Sequence, residues 1–324
     1  MPPKPIKILV TGAGGQIGTE LVRALRQRHG RDNVTATDVV EPSPQAMAEG
    51  PFALLDVTRR ADVAAAVESR RIDVVYHLAA ILSARGEKNP GLAWEVNING
   101  TFNVLEVARE KGLARVFCPS SIAVFGPETP KENTPQETVL RPKTMYGLTK
   151  VAGELLGDYY VQKHGLDVRG CRYPGIISHE TLPGGGTTDY AVAIFFEAVK
   201  NGRYACFLRP ETRLPMMYMP DCLKATLDLM EADFGRLKHH CDFNLASMSF
   251  SAEELAAEIR KHIPGLVVAY RPDFRQAIAD SWPRTIDDAA AREEWGWKPA
   301  FDLASMTADM LRAVSDKKTR GLLP

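Results

Sequence analysis

Along the first half of the chain, short apolar runs alternate with stretches whose apolar residues recur every three or four positions. Ile6 to Val10 is apolar enough for a buried strand, and Leu21, Val22 and Leu25 recur at helical spacing within Thr19 to His29. The same rhythm predicts strands at Val34 to Asp38, Phe52 to Leu55, Asp73 to Leu78 and Val116 to Pro119. It predicts helices at Ala61 to Ser69, Leu92 to Lys111 and Thr144 to His164, then a strand over Asp167 to Cys171. Strands separated by helices pair in parallel, and the helices cover both faces of the sheet. The fold class is therefore α/β, a doubly wound parallel sheet with a smaller C-terminal substrate-binding domain. The boundary falls near Arg172: a nucleotide-binding part spans 1–171, and a mainly substrate-binding part spans 172–324 with some segments crossing back. In that second part Tyr190 to Lys200 is a helix closed by Asn201-Gly202. Asp221 caps a helix from Leu223 to Met230, and Ser251 to Glu254 forms a capping box opening a helix to His262.

The turn between the first strand and helix reads Thr11-Gly12-Ala13-Gly14-Gly15-Gln16-Ile17-Gly18. Glycine tolerates positive φ and lets the backbone approach a pyrophosphate, whose charge is met by the N–H groups and dipole of the helix N-terminus. Gly12, Gly15 and Gly18 follow a Gly-x-x-Gly-x-x-Gly variant of the dinucleotide fingerprint, in the strand–turn–helix context it requires. Asp38, twenty residues beyond Gly18, ends the second strand, where a carboxylate accepts hydrogen bonds from the adenosine ribose hydroxyls. A 2′-phosphate would meet like charge there, and no Arg immediately follows, so the expected cofactor is NAD. Asp38 also suits a turn before Val39-Val40-Glu41-Pro42, which is compatible with the ribose role. On a Rossmann-like sheet ligands bind at the carboxyl ends of the strands, where the glycine turn, Asp38, Asp56, Ala79-Ala80 and Ser120-Ser121 all fall.

Tyr146 and Lys150 stand four apart, so a helix over Thr144 to His164 sets them on one face. A free phenol titrates near ~10, and bringing it toward neutrality takes roughly 1.4 kcal/mol per unit, or about 4 kcal/mol over three units. A nearby fixed cation is expected to supply much of that and make Tyr146 a proton acceptor. Such pairs also arise by chance on solvated helices; the upstream fingerprint and serine pair favour the catalytic reading.

The glycine turn, Asp56-Val57, His77-Leu78-Ala79-Ala80, Asn97-Ile98-Asn99-Gly100-Thr101, Ser120-Ser121 and Tyr146 to Lys150 together resemble the extended short-chain dehydrogenase/reductases, through most of the chain. The resemblance implies that Ser121, twenty-five residues before Tyr146, hydrogen-bonds the reacting oxygen while Tyr146 exchanges its proton and Lys150 binds the nicotinamide ribose. Ser120 is the less suitable partner. The resemblance also places Asp56 and Val57 at the adenine and Ala79 and Ala80 along NAD, with Gln16, Ile17 and Tyr173 in the same cofactor site. Asn97 is implied near the active site among the cofactor residues, although an Asn in a helix also satisfies local backbone groups. In related enzymes the helices Leu92 to Lys111 and Thr144 to His164 pair with a second subunit, so a homodimer is implied by resemblance.

Further segments narrow the substrate. Ser120 to Gly126, Tyr146 to Leu156, Arg172-Tyr173-Pro174-Gly175-Ile176-Ile177, Pro183 to Ala191, Ser281 to Asp288 and Trp295-Gly296-Trp297-Lys298-Pro299 resemble the short-chain type of L-threonine 3-dehydrogenases. That resemblance implies NAD-dependent oxidation of the L-threonine β-hydroxyl to 2-amino-3-oxobutanoate, with Tyr146 as general base and Ser83 as a further substrate contact. A loop serine is otherwise merely solvated. Physically, an amino acid needs donors for its carboxylate and an anion for its ammonium. Gly184 and its glycine neighbours can turn N–H groups toward an anion, Thr187 and Thr188 add hydroxyls, and Asp189 adds negative charge. Thr188 or Asp189 also suits an ordinary N-cap before Tyr190. The alternative is a nucleotide-sugar epimerase or dehydratase; that branch carries Asn where this chain has Gly175, which disfavours it. A non-catalytic NAD sensor would not need Ser121, Tyr146 and Lys150. Met216, Met217 and Met219 suit adaptable core filling more than a pocket wall.

Composition fits this picture. A chain of 324 residues, 45% hydrophobic, buries a large core, and 40 basic against 40 acidic residues give no electrostatic case for nucleic acid or an anionic membrane. Met1-Pro2-Pro3-Lys4-Pro5 leads into the first strand without a secretory segment. Cys118, Cys171, Cys206, Cys222 and Cys241 are odd in number and scattered, as for free thiols in the reducing cytoplasm. No Cys-x-x-Cys or paired-His signature points to a metal, and His239-His240 lies in a polar stretch expected to be exposed.

Overall fold

The computed structural model describes residues 5–41, 49–181 and 184–323. Met1 to Lys4, Pro42 of the expected turn and Pro183 of the glycine segment lie outside them. Six strands form one parallel sheet in the order Phe52–Leu54, Val34–Asp38, Ile8–Thr11, Val74–His77, Arg115–Phe117 and Val168–Arg169. Side chains alternate along each strand, so Leu9, Val75 and Val116 pack on one face and Ile8, Val10, Tyr76 and Phe117 on the other. The helices Arg60–Arg70 and Gly100–Lys111 cover the first face with Val63, Val67, Val104 and Leu105. The helix Gln16–His29 covers the second with Leu21, Val22 and Leu25, each burial stabilising by about 1.5–3 kcal/mol. The helix Met219–Glu231 returns to this second face through Cys222, Ala225 and Leu229. Strand order reverses beside Ile8–Thr11, and the crevice that opens there faces the C-terminal ends of the strands.

Smaller sheets close the crevice. Ser120–Ser121 and Phe243–Asn244 flank Cys171–Tyr173 in parallel. Gly175–Ile177 runs parallel to Arg213–Tyr218, which pairs antiparallel with Met248–Ser251. A separate core around Phe195, Tyr218, Phe250, Ile259 and Met310 supports this half.

Several expectations are corrected locally. The helix expected over Leu92 to Lys111 begins at Pro90 and carries a π-helical turn at Glu95–Asn99, a distortion that rotates Asn97 into the interior. Asp221 makes no cap: its carboxylate accepts from the N–H groups of Ala300 and Phe301 at 2.8 and 3.2 Å, tying down the C-terminal segment. His239 is half-buried, its Nδ1 at 2.6 Å from Glu294 Oε1, and His240 stacks on Phe234. Met216, Met217 and Met219 are buried core, and the Ser251–Glu254 capping box is present. All five cysteines are free thiols. Among the described residues no helix is long and apolar enough to cross a membrane. Trp94 and Phe102 on one long helical run and Leu148, Leu155 and Tyr159 on the helix Met145–His164 expose large apolar side chains.

Candidate active site

The helix Met145–His164 begins at Thr144, whose hydroxyl accepts from Gly147 N–H at 3.1 Å, and this N-cap sets the phase of the row that follows. Tyr146 and Lys150 both line a cavity of about 230 Å³ at the crevice. Ser121 lies beside the phenol and acts to lower its pKa. Ser121 is held by Ala123 N–H, which donates to its Oγ at 3.2 Å, while Ser120 turns away and donates to Glu154. Lys150 Nζ donates to the Pro119 carbonyl at 2.7 Å and lies 5.6 Å from the centre of the Tyr146 ring.

The electrostatics differ from the sequence expectation. Burial pushes the Tyr146 phenol up to about 12, against a smaller opposing effect of Ser121. Burial pulls Lys150 down to about 8, partly offset by Cys118 and Glu154. The ammonium sits over the ring and is spent on a carbonyl, so its pull on the phenol does not outweigh desolvation. Behind it, His77 bridges Thr11 Oγ1 at 2.8 Å and Thr101 Oγ1 at 3.1 Å, and burial then the Lys150 charge lower it to about 3. This imidazole is a neutral spacer between two strands and a helix.

The glycine turn meets the requirements of a dinucleotide. Gly15 is the N-cap of Gln16–His29, no side chain caps that N-terminus, and no acid lies in its first turn. Gly12, Gly15, Gln16, Ile17 and Gly18 line the cavity. Gly12 has φ 67°, and a Cβ there would come within 2.6 Å of Ala79 N; one on Gly18 would lie 2.3 Å from Gly12 O. Only glycine permits this approach. Asp38 reaches the turn as well, accepting from Gly14 N–H at 2.9 Å. Asp56 accepts from the Thr58 N–H and hydroxyl at 3.0 and 2.8 Å, and Val57 is buried beside Gly100. Gln16 carries its amide across the cavity to Ile176 O at 3.3 Å. Ala80 lines the main cavity, and Ala79 lies just behind it.

Two residues counted with the cofactor have other work for their polar atoms. The Asn97 amide exchanges two hydrogen bonds with the Ile81 backbone, at 2.7 and 3.0 Å, and donates to Thr149 Oγ1 at 3.0 Å. It anchors the segment of Ala79 to Ile81, just before the helix Ser83–Lys88, to the helix Met145–His164 rather than satisfying its own helix. Tyr173 borders the cavity, but its buried phenol pairs with Thr226 in the core.

In the same cavity lining, Ser83 Oγ and Thr187 Oγ1 are buried 3.5 Å apart. Asp189 occupies the N-cap position of Tyr190–Asn201 without a side-chain cap bond. Its Oδ2 instead accepts from Gly185 and Gly186 N–H at 2.7 and 2.6 Å, and burial raises its pKa against those two bonds. The glycine N–H groups expected to face a substrate anion are therefore taken by the chain's own carboxylate. Gly184 stands outside the cavity wall beside Leu82, whereas Gly186, Thr187, Thr188 and Asp189 form part of it. At Gly175 a Cβ would lie 2.4 Å from Met216 Sδ and 2.7 Å from Thr188 Cγ2, so the wall has no room for an Asn. Sequence reasoning missed Trp282, Leu82 and Ile122 as apolar walls. Ile122 and Trp282 stand in the segments Ser120 to Gly126 and Ser281 to Asp288 that carry the family likeness, which was their only signal.

A doubly wound sheet whose uncapped glycine-turn helix meets a Ser121–Tyr146–Lys150 constellation defines a nicotinamide-dependent oxidoreductase of the short-chain type. The chain belongs to the NAD dependent epimerase/dehydratase family, whose model matches residues 8–246. It is 51% identical over 306 residues to the mitochondrial L-threonine 3-dehydrogenase of Bos taurus, covering 94% of this chain and 82% of the bovine protein. The holo form of a GalE-like L-threonine dehydrogenase from Cupriavidus necator matches with a TM-score of 0.92 and 52% identity, over 94% of this chain and 99% of that one. A monomeric L-threonine 3-dehydrogenase of metagenomic origin, in its apo form, matches equally well, with a TM-score of 0.92 and 52% identity over 95% and 99% of the two chains.

Proposed function

We propose that this enzyme oxidises the β-hydroxyl of L-threonine to 2-amino-3-oxobutanoate with NAD. The observation that carries the reading is one cavity lined both by Ser121 and Tyr146 and by the buried Ser83–Thr187 hydroxyl pair. Relatives at about half identity with the same activity in their names support it. In this reading the substrate hydroxyl meets Ser121 and Tyr146, and Ser83 and Thr187 hold the carboxylate. Asp189 keeps the 184–189 segment in shape and adds negative charge near the ammonium. Tyr146 takes the hydroxyl proton as general base. Lys150 stabilises the phenolate and, with the turn from Gly12 to Gly18, Asp38, Asp56, Val57, Ala79 and Ala80, holds the dinucleotide. Bound NAD supplies the hydride acceptor and a further positive charge beside the phenol. Residues 1–171 serve as the nucleotide part and 172–324 mainly as the substrate part.

The test is NADH absorbance on mixing protein, NAD and L-threonine, alongside L-serine, L-allo-threonine and a nucleotide sugar. NADH from L-threonine is the expected result. Conversion of the nucleotide sugar, with no NADH from any amino acid, would move the protein to the epimerases. The apolar residues Trp94, Phe102, Leu148, Leu155 and Tyr159 suit a homodimer through the two long helices. Sedimentation as a monomer at working concentration would remove that part. The five free thiols suit the cytoplasm as the place of reaction.

A further inference from the structure

Three consecutive residues are set against three successive turns of one helix. Pro119 O accepts from Lys150 Nζ at 2.7 Å, Ser120 Oγ donates to Glu154, and Ser121 lies beside Tyr146 in the cavity lining. Positions 146, 150 and 154 are each four apart, so they form one row along Met145–His164. Two of these pairings involve groups of the proposed reaction. The middle one does not, yet it is the most heavily built.

Ser120 and Glu154 are 4% and 5% exposed, and Arg172, at 2%, forks the carboxylate with Nε to Oε1 at 2.9 Å and Nη2 to Oε2 at 2.8 Å. Arg172 is held in turn by Gln136 O and Asn244 Oδ1, both at 3.1 Å. It is also the register partner of Ser120 across the parallel strand pair. A buried ion pair is a poor route to stability, since apolar residues of similar volume do as well. What it adds is direction. A hydroxyl bonded to a fixed acceptor has one rotamer, and the peptide planes flanking Ser120 carry the Pro119 carbonyl and lead into Ser121.

We propose that Glu154, clamped by Arg172, is a positioning residue of the reaction: through Ser120 it sets the placement of Ser121 and the Pro119 carbonyl against Tyr146 and Lys150. This rests on the threonine-oxidation reading for its kinetic test. Misplacement of reacting groups by about 1 Å costs on the order of 100-fold in rate, so the clamp acts on kcat more than on threonine binding.

Ser120→Ala removes the tie while leaving the Glu154–Arg172 pair whole, and Glu154→Gln removes the charge while keeping the side-chain volume. Both are compared with wild type for kcat, KM for L-threonine, NAD affinity, thermal unfolding, and the isotope-labelled tyrosine NMR signal of Tyr146. Ser120→Ala is expected to unfold within about 4 °C of wild type. Its kcat is expected to fall at least ~10-fold with KM within about threefold, and its Tyr146 signal to move. Wild-type kcat in Ser120→Ala overturns the proposal. So does a Glu154→Gln protein that melts earlier but keeps its kcat while fully folded, because the pair is then structural. A wild type that makes no NADH from threonine sinks the reaction instead. The clamp is then judged by the Tyr146 signal alone, and an unmoved signal in Ser120→Ala overturns it.

Discussion

Two glycine-rich turns border the cavity, each opening a helix and each reached by one aspartate, and they end in opposite states. At Gly12 to Gly18 the helix N-terminus is left without a side-chain cap, and Asp38 takes only the Gly14 N–H of the turn. At 184–189 Asp189 bends back and takes both the Gly185 and Gly186 N–H groups on one oxygen. In the first turn the Ala13, Gly14 and Gly15 N–H groups are bonded to Thr37 O, Asp38 and Gly12 O, but the helix N-terminus that follows stays uncapped; in the second the carboxylate has used the glycine N–H groups to hold the segment's own shape. Glycine content alone therefore says little about anion binding. What decides is whether an acceptor of the chain itself lies within reach once the turn is folded.

The sharpest way to test the reactive side of this contrast is Tyr146→Phe. Removing the proton acceptor is expected to lower kcat by roughly 10²–10⁴-fold while NAD affinity, held by the open turn, stays near wild type. Near-normal turnover would remove Tyr146 from the mechanism. Lys150 comes next. Its pKa is lowered by burial from 10.5 to about 8, so the cost of keeping it charged is fully present below pH about 8 and fades as pH rises toward 10.5. That cost is on the order of 3 kcal/mol. Lys150→Met should abolish turnover yet unfold at higher denaturant than wild type at pH 7, with the gap narrowing toward pH 10. A less stable variant at pH 7 would show that the Pro119 hydrogen bond outweighs desolvation.

On the closed side, Asp189→Ala frees two glycine N–H groups and should cost about 2 kcal/mol in urea unfolding, with KM for threonine rising about tenfold. Asp189→Asn keeps an acceptor and should restore most of the stability, while KM stays raised for want of the charge. An Asn variant with wild-type KM would mean that the shape of the segment, and not the charge, is what matters. The smallest effect belongs to Gly175→Ala, whose Cβ meets Met216 and Thr188. The expected cost is about 1–2 kcal/mol in unfolding, with only modest kinetic change.

The row of Tyr146 and Lys150 was legible because helix geometry is local: residues four apart share a face whatever surrounds them, so the two could be paired from spacing alone. The parallel sheet was legible for the same reason, since alternating periods of two and near four residues leave few ways to bury their apolar faces. The π turn at Glu95–Asn99 was not, because it depends on Asn97 finding the Ile81 backbone, a partner sixteen residues away. Nor were the fates of Asp221 and Asp189, both of which looked like caps by position.

By itself, then, the sequence determined the order of elements, the close approach at Gly12 and Gly18 of the first turn, and the row of residues on the helix Met145–His164. Only the tertiary structure decided which hydrogen bonds were already taken. It sent Ser120 to Glu154, put the Tyr173 phenol in the core, and set the Tyr146 phenol above and the Lys150 ammonium below their ordinary pKa values. The physical reason is range. Periodicity is fixed by bonds along the chain, whereas desolvation and hydrogen-bond competition depend on groups that folding brings together.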